Sequence, residues 1–304
     1  PPERARSRRR DGGIASFAIR DGELTVAEET RDVTKKHAVR GAFVGLACVG
    51  ALLAVGCEEK KPDLPPLAPA APTSTPLPAG ASVQTFVIDA SSKATVEMDA
   101  PKEKIRATTT GGAGTLVVDL ENVAASRGEV KMDLSTLTTS TFAEPEKNAT
   151  QTLHARTWLE VADGVSGKLD EETKKAHRWA VYAIRSIDNP SATDVTKIAP
   201  TKDGDDDVRA LTLTTKGELL VHGRRVQRDA DVEVAFRYDA GAPADAPKAL
   251  TIRSTKPLVV VLAEHDIKPR DGFGKIARSA YHLLGTKVAD DAAVRFDLHA
   301  IAQP

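Results

Sequence analysis

The side chains able to do chemistry are scattered along this 304-residue chain, and their spacing lets few of them act together. Seven histidines occur, none in a His-x-x-x-His or His-x-His pair that would place two imidazoles on one ion, so no metal site is expected. His265, Asp266 and Asp271 come nearest to one and read as a solvated loop. Asp203-Gly204-Asp205-Asp206-Asp207 has the look of a calcium loop, but it lacks the closing glutamate of an EF-hand and reads as a polar hairpin turn. No Gly-x-Ser-x-Gly elbow presents a nucleophile, and no glycine-rich loop opens a helix to cradle phosphate. Gly111-Gly112-Ala113-Gly114 reads as a turn between strands, and Arg224, Arg225 and Arg228 as a solvated basic turn. Asn148-Ala149-Thr150 matches a glycosylation sequon by accident of sequence. With no paired acid and base, nucleophile or metal set, no catalytic residue is assigned and an enzyme is not expected.

Cysteine is different. Cys48 and Cys57 are the only two, and Cys57 ends a charge-free stretch of sixteen residues, Gly41 to Gly56, that follows Lys35, Lys36, His37 and Arg40. A spanning helix needs about 20 apolar residues, whereas this length behind a basic stub suits the apolar region of a secretory signal. Leu53-Ala54-Val55-Gly56-Cys57 resembles the lipobox of bacterial lipoproteins, with Ala54 where leucine is commonest. The expected chemistry is acylation of the Cys57 thiol and cleavage before it. Cys48 then leaves with the signal, and one remaining cysteine can form neither a disulfide nor a Cys-based metal site.

The segments around Cys57 follow that reading. Seven prolines fall in the twenty residues from Lys61 to Gly80, which disfavours helix and sheet and gives an extended tether over residues 57–81. Residues 33–56 are the signal, and residues 1–32 are an expected disordered upstream extension. No methionine precedes Met98, so translation is expected to start near Val33 from a non-ATG codon. The expected location is the bacterial cell envelope, lipid-anchored, facing the periplasm or associated with the outer membrane.

Residues 82–304 remain as one domain. Lys and Arg number 42 against 43 Asp and Glu, which carries no basic excess for nucleic acid. Hydrophobic residues at 41% are enough for a full core. The dominant pattern is alternation, which puts every second side chain on one face of a strand. Leu116, Val118 and Leu120 alternate with polar neighbours or outward positions, as do Val130, Met132 and Leu134, and Ala124 to Gly128 suits the hairpin between them. Val232, Val234, Phe236 and Tyr238 form a third set, and Val294, Phe296 and Leu298 a fourth. Further strands are expected at Val83–Asp89, Thr95–Asp99, Trp179–Ile187, Val208–Thr214, Glu218–His222 and Leu250–Leu262. Pro145–Arg156 reads as a helix turning Leu153 and Trp158 toward the sheet, and Gly274–Leu284 as a shorter one. Strands with one wet face and few helices between them give an all-β fold, an antiparallel barrel or sandwich.

The order of elements resembles that of the YceI-like family. Thr85-Phe86-Val87-Ile88-Asp89 leading to Ser91-Ser92-Lys93-Ala94-Thr95-Val96 is similar to the family's opening strand. Gly217-Glu218-Leu219-Leu220-Val221-His222-Gly223 resembles its Gly-x-Leu-x-x-x-Gly strand. Asn148, Leu153, His154, Ala155 and Trp158 resemble its helical insertion, while Asn189 to Asp207 is longer than the family's segment. The resemblance spans about residues 82 to 302 and implies a lipocalin-like antiparallel β-barrel holding an elongated apolar ligand, a polyisoprenoid or a quinone tail. Leu134, Trp158, Trp179, Val234, Phe236, Tyr238, Phe296 and Leu298 are the candidate ligand contacts. For Trp158 and Trp179 a structural core role is the default reading. Beyond a bound isoprenoid or quinone no cofactor is implied. The expected partners are an apolar small molecule and, through the anchor, a membrane. Alternation alone does not separate a hollow barrel from a solid one, so a ligand-free adaptor that binds a protein through its surface stands as the alternative.

Overall fold

The computed structural model describes residues 82–100, 103–164, 167–268 and 289–304, together with Leu64. The expected signal, Cys57, most of the proline-rich tether, the expected helix Gly274–Leu284 and Asp271 lie outside the described residues.

Alternation builds the walls. β1 (Val83–Ile88) and β2 (Lys93–Ala100) form one bent strand, β3 (Glu103–Thr109) and β4 (Gly112–Asp119) a second, and β5 (Arg127–Asp133) with the short β6 (Thr138–Thr139) a third. Two helices follow, α1 (Pro145–Trp158) and α2 (Glu171–His177). Then come β7 (Trp179–Asp188), β8 (Thr201–Asp203), the long hairpin β9 (Asp206–Val221) and β10 (Arg224–Tyr238), the pair β11 (Ala249–Ser254) and β12 (Leu258–Val261), and β13 (Asp291–Ala302).

Hydrogen bonds run antiparallel in the order β1-β4-β5-β7-β9-β10-β11-β13, and β1 pairs with β13 as well, Phe86 opposite Ala302 and Ile88 opposite Ala300. Eight strands therefore close into an up-and-down ring, the architecture of lipocalins, which leaves the ring no unpaired edge. Above the ring the wall continues as a partial sheet. There the upper half of β13 pairs with β2 and β12, β2 with β3, and β3 with β6. Among the described residues no strand pairing joins β6 to β7 or β10 to β12 at this level. The barrel is thus closed below and open-seamed above.

Loops seal the lower end. Val123 donates its amide to the Thr193 carbonyl and Val195 donates to the Leu120 carbonyl, so the β4–β5 loop and the segment after β7 are stitched together. The long stretch from Asn189 to Asp207 supplies this plug. Phe86, Leu120 and Val195 are completely buried there, with Tyr238 and Phe236 almost so.

At the upper end α1 lies against β6. Pro145 occupies its first turn, and Thr139 ties into it, its amide donating to Thr152 Oγ1 (2.9 Å) and its hydroxyl to the Asn148 carbonyl (2.8 Å). The Asn148 side chain is spent on Phe142, accepting from its amide and donating to its carbonyl. Gln151, Ala155, Trp158 and Leu159 share one helix face, spaced i, i+4, i+7 and i+8, and turn to the barrel interior. Leu153 lies off that face and is 42% exposed, which corrects the expectation that it packs on the sheet.

Other elements differ from the sequence reading for identifiable reasons. Val208–Thr214 and Glu218–His222 are one strand, β9, because Thr215 and Gly217 continue the inward face without apolar bulk. A Cβ on Gly217 would lie 2.6 Å from the Tyr182 ring, so glycine lets that ring cross the strand. The Tyr182 hydroxyl reaches the Arg228 carbonyl (2.9 Å), and burial pushes its pKa up to about 12. Leu250–Leu262 breaks into two strands around Lys256-Pro257, where proline cannot donate to a ladder. The Asp203–Asp207 run is the expected hairpin turn, with Gly204 in the left-handed region (φ 63°) and the carboxylates paired to Arg237, Lys248 and Lys202.

Candidate functional site

The inward side chains enclose a cavity of about 290 Å³ in the middle and upper barrel, near the lower end of the roughly 300–1,000 Å³ usual for ligand pockets. Its origin is side-chain volume. An eight-stranded barrel is just wide enough for side chains to fill, but the inward positions here include Ala94, Ala107, Ala180, Ala230 and Ala292. Larger groups line the rest of the wall, Leu116 and Val118 on one side and Leu211, Leu213, Val232 and Val234 on the other. Toward the upper end Val96, Met98, Ile105, Val294 and Phe296 are only half-buried, while Phe236 and Leu250 close the floor at 2% exposure each.

The polar groups along this wall are committed to the protein. Thr109 donates to the Asp133 carbonyl (2.6 Å), Thr139 to Asn148 and Thr215 to Ala230. Ser126 Oγ accepts from the Asp119 amide, Gln151 accepts from Thr141, and Arg127, the one charged lining residue among those described, donates to the carbonyls of Ala124, Ala125 and Ser126. Among the described residues no carboxylate or histidine lines the cavity. What faces inward is hydrocarbon, and such a surface rewards an apolar occupant and penalises an unpaired polar one.

A second arrangement stands on the upper rim. Glu160 follows α1, His177 ends α2, and His222 sits at the tip of the β9–β10 hairpin. Glu160 Oε2 lies 3.0 Å from His177 Nδ1 and 3.1 Å from His222 Nε2, and the two imidazole centroids are 4.4 Å apart. His222 and Gly223 both have positive φ (50° and 72°) between the paired residues Val221 and Arg224, a type I′ turn. Glu160 is left-handed too, at φ 54°. Burial, with His222 beside it, holds the His177 imidazole below its usual pKa. Below the hairpin, His265 is fully buried, not a solvated loop residue. Its Nδ1 faces the carbonyls of Val221 (3.2 Å) and Arg224 (3.3 Å), and burial lowers its pKa. Nor is the neighbouring basic cluster a solvated turn. Arg225 and Arg228 have side chains only 12% and 18% exposed, the latter paired with Glu264.

No family model matches the chain, and no curated protein is similar to it. Several solved chains are similar in part, including two matched over nearly their whole length. One is a polyisoprenoid binding domain from Saccharophagus degradans implicated in plant cell wall breakdown, 12% identical, covering 72% of this chain and 98% of that one with a TM-score of 0.43. The other is Burkholderia cenocepacia BcnA, 13% identical, covering 70% of this chain and 98% of that one with a TM-score of 0.38.

Of the eight residues singled out from sequence, Leu134, Trp158, Val234, Phe236, Phe296 and Leu298 line the cavity. Tyr238 has the right parity but lies below the floor, 1% exposed, with its hydroxyl donating to the Ala244 carbonyl. Trp179 has the wrong parity. Ala180, Tyr182 and Ile184 of the same strand face the cavity, so Trp179 faces out, with the Arg178 guanidinium 5.1 Å from its ring centre. Sequence reasoning missed Met98, Ile105 and the alanines, since small or isolated residues give weak alternation. It also missed the rim cluster, whose members are far apart in the chain.

Proposed function

We propose that this chain binds an elongated apolar molecule, a polyisoprenoid or similar lipid, inside its barrel and carries or sequesters it in the bacterial envelope, as a YceI-like protein. The supporting observation is a cavity wall that presents alkyl and aromatic groups while its polar atoms are bonded to the protein itself. Each methylene moved from water to such a wall contributes about 0.8 kcal/mol. The ligand's chain lies within, and any polar head stays at the upper rim, where the wall residues are half-buried. Acylation of Cys57 holds the protein to the membrane, because two or more acyl chains give stable anchoring, and the proline-rich tether sets the barrel off from the bilayer.

Extraction of the purified full chain into organic solvent, followed by mass spectrometry, tests the reading. A stoichiometric long-chain lipid is expected, and a protein that neither carries one nor takes up isoprenoid alcohols would refute it. Cys57→Ser is expected to release the protein from membranes, and continued retention would overturn the anchor.

A further inference from the structure

The rim cluster is a place where three ligand atoms converge, one each from Glu160, His177 and His222. His222 Nδ1 lies 2.9 Å from the His265 carbonyl, a contact that requires the proton on Nδ1. The His222 Nε2 is the ring nitrogen aimed at the cluster, 3.1 Å from Glu160 Oε2. The His222 side chain is nine-tenths buried, and its Nε2 makes no hydrogen bond, nor does His177 Nδ1, although Glu160 Oε2 is close to both. Two ring nitrogens and a carboxylate oxygen thus crowd one point, and a cation placed among them draws on all three.

The distances suit one ion. Tetrahedral zinc with bonds of about 2.0–2.1 Å sets its ligand atoms about 3.3 Å apart, and the three atoms here lie within 4.8 Å of one another, two of the separations being 3.0 and 3.1 Å. Two imidazoles and one carboxylate form a ligand set of borderline-soft character that suits zinc or its neighbours over magnesium or calcium, which take oxygen ligands. The carbonyl holding His222 Nδ1 is the outer-shell partner that metal-binding histidines use to fix tautomer and ring orientation. The backbone agrees. The first central position of a type I′ turn usually takes Asn, Asp or Gly, so a histidine there holds a left-handed conformation at a cost that a ligand role offsets.

We propose that Glu160, His177 and His222 form a binding site for one divalent transition-metal ion of the zinc class, with the remaining coordination position taken by water. The site ties three elements together. Trp158 and Leu159, which line the cavity, immediately precede Glu160, and Val221, also a lining residue, immediately precedes His222. A bound ion thus fastens the end of α1 and the end of α2 to the β9–β10 hairpin beside the cavity.

Zinc titrated into the metal-free full chain is expected to bind at one ion per chain and to raise the melting temperature. Cobalt in its place is expected to give visible d–d absorption without a thiolate charge-transfer band, which separates this site from Cys48 and Cys57. His177→Ala and His222→Ala should each weaken zinc binding by more than about 100-fold, since even outer-shell partners are worth roughly 10- to 100-fold. Histidine ring NMR of the unaltered protein gives a readout that needs no variant, and zinc should shift the His177 and His222 signals. Absence of saturable binding, undiminished affinity in a folded His177→Ala/His222→Ala protein, or zinc binding that leaves both ring signals unmoved would each overturn the proposal.

Discussion

The two ends of this barrel share strands, alternation and an antiparallel ladder, yet one is filled and the other is hollow. Below, Phe86, Leu120, Val195 and Tyr238 are 0–1% exposed, and two loops are stitched across the opening. Above, alanines at inward positions leave a cavity, and Val96, Met98 and Ile105 are half-buried. The contrast separates two properties that one pattern encodes together. Alternation decides which side chains face inward, while their summed volume decides whether the inside is a core or a container. The sealed end supplies stability, and the open-seamed end leaves the space in which a ligand is proposed to lie.

Substitutions at matched positions sharpen this comparison. The largest effect is expected from Phe86→Ala, at about 3–5 kcal/mol of stability by urea unfolding. Phe296→Ala, on the half-buried cavity wall, should cost less than half as much. Equal losses would mean that the upper end is packed as tightly as the lower.

Adding volume reverses the logic. Ala300→Leu, in the filled end at 1% exposure, should overpack and cost about 1–3 kcal/mol. Ala94→Leu, which points into the cavity, should be close to neutral in stability while lowering the affinity for a long-chain ligand. A similar stability loss at both sites would argue against a hollow upper barrel.

The upper wall leans on polar ties in place of packing. Asp133 is buried, which works to raise its pKa, but hydrogen bonds from Arg178 (Nε to Oδ2, 2.9 Å) and Ser135 outweigh that and hold it below the usual carboxylate value. Its contribution is therefore present above the unfolded value of 3.8 and lost as pH falls through the lower folded value. Asp133→Asn should cost about 1–2 kcal/mol near neutrality and flatten the acid limb of stability below about pH 4.

The smallest effect belongs to His265. Its lowered pKa makes its contribution complete above about pH 6.5 and progressively lost as pH drops toward the folded value. The slope is expected to be a fraction of about 1.4 kcal/mol per pH unit. Comparing unfolding of the protein and its His265→Gln variant between pH 7 and 5 checks it, the variant losing that part of the slope.

Much of the wall was legible in sequence because its residues alternate strongly. Val232 to Tyr238 and Val294 to Leu298 are strands as expected, and parity alone put Val234, Phe236, Phe296 and Leu298 on the inner face. β3 was missed because Ile105, Ala107 and Thr109 give little contrast with their neighbours, and α2 because Glu171 to His177 is polar except for Ala176. Trp179 was misplaced by weighing its size over its parity. Hollowness was illegible, since it depends on volumes summed over eight strands. So was the rim cluster, because its members lie 17 and 45 positions apart and meet only when α1, α2 and the hairpin converge.

The most direct test of the hydrocarbon-lined container is a chain-length series. Isoprenoid alcohols of increasing length are titrated into delipidated protein, with Trp158 and Trp179 fluorescence as the signal and Trp179→Phe isolating the cavity tryptophan. The affinity is expected to rise by about 0.8 kcal/mol, roughly fourfold, per added methylene equivalent until the cavity is filled, and then to level off. Affinity that ignores chain length, or a Trp158 signal that never changes, would contradict the account.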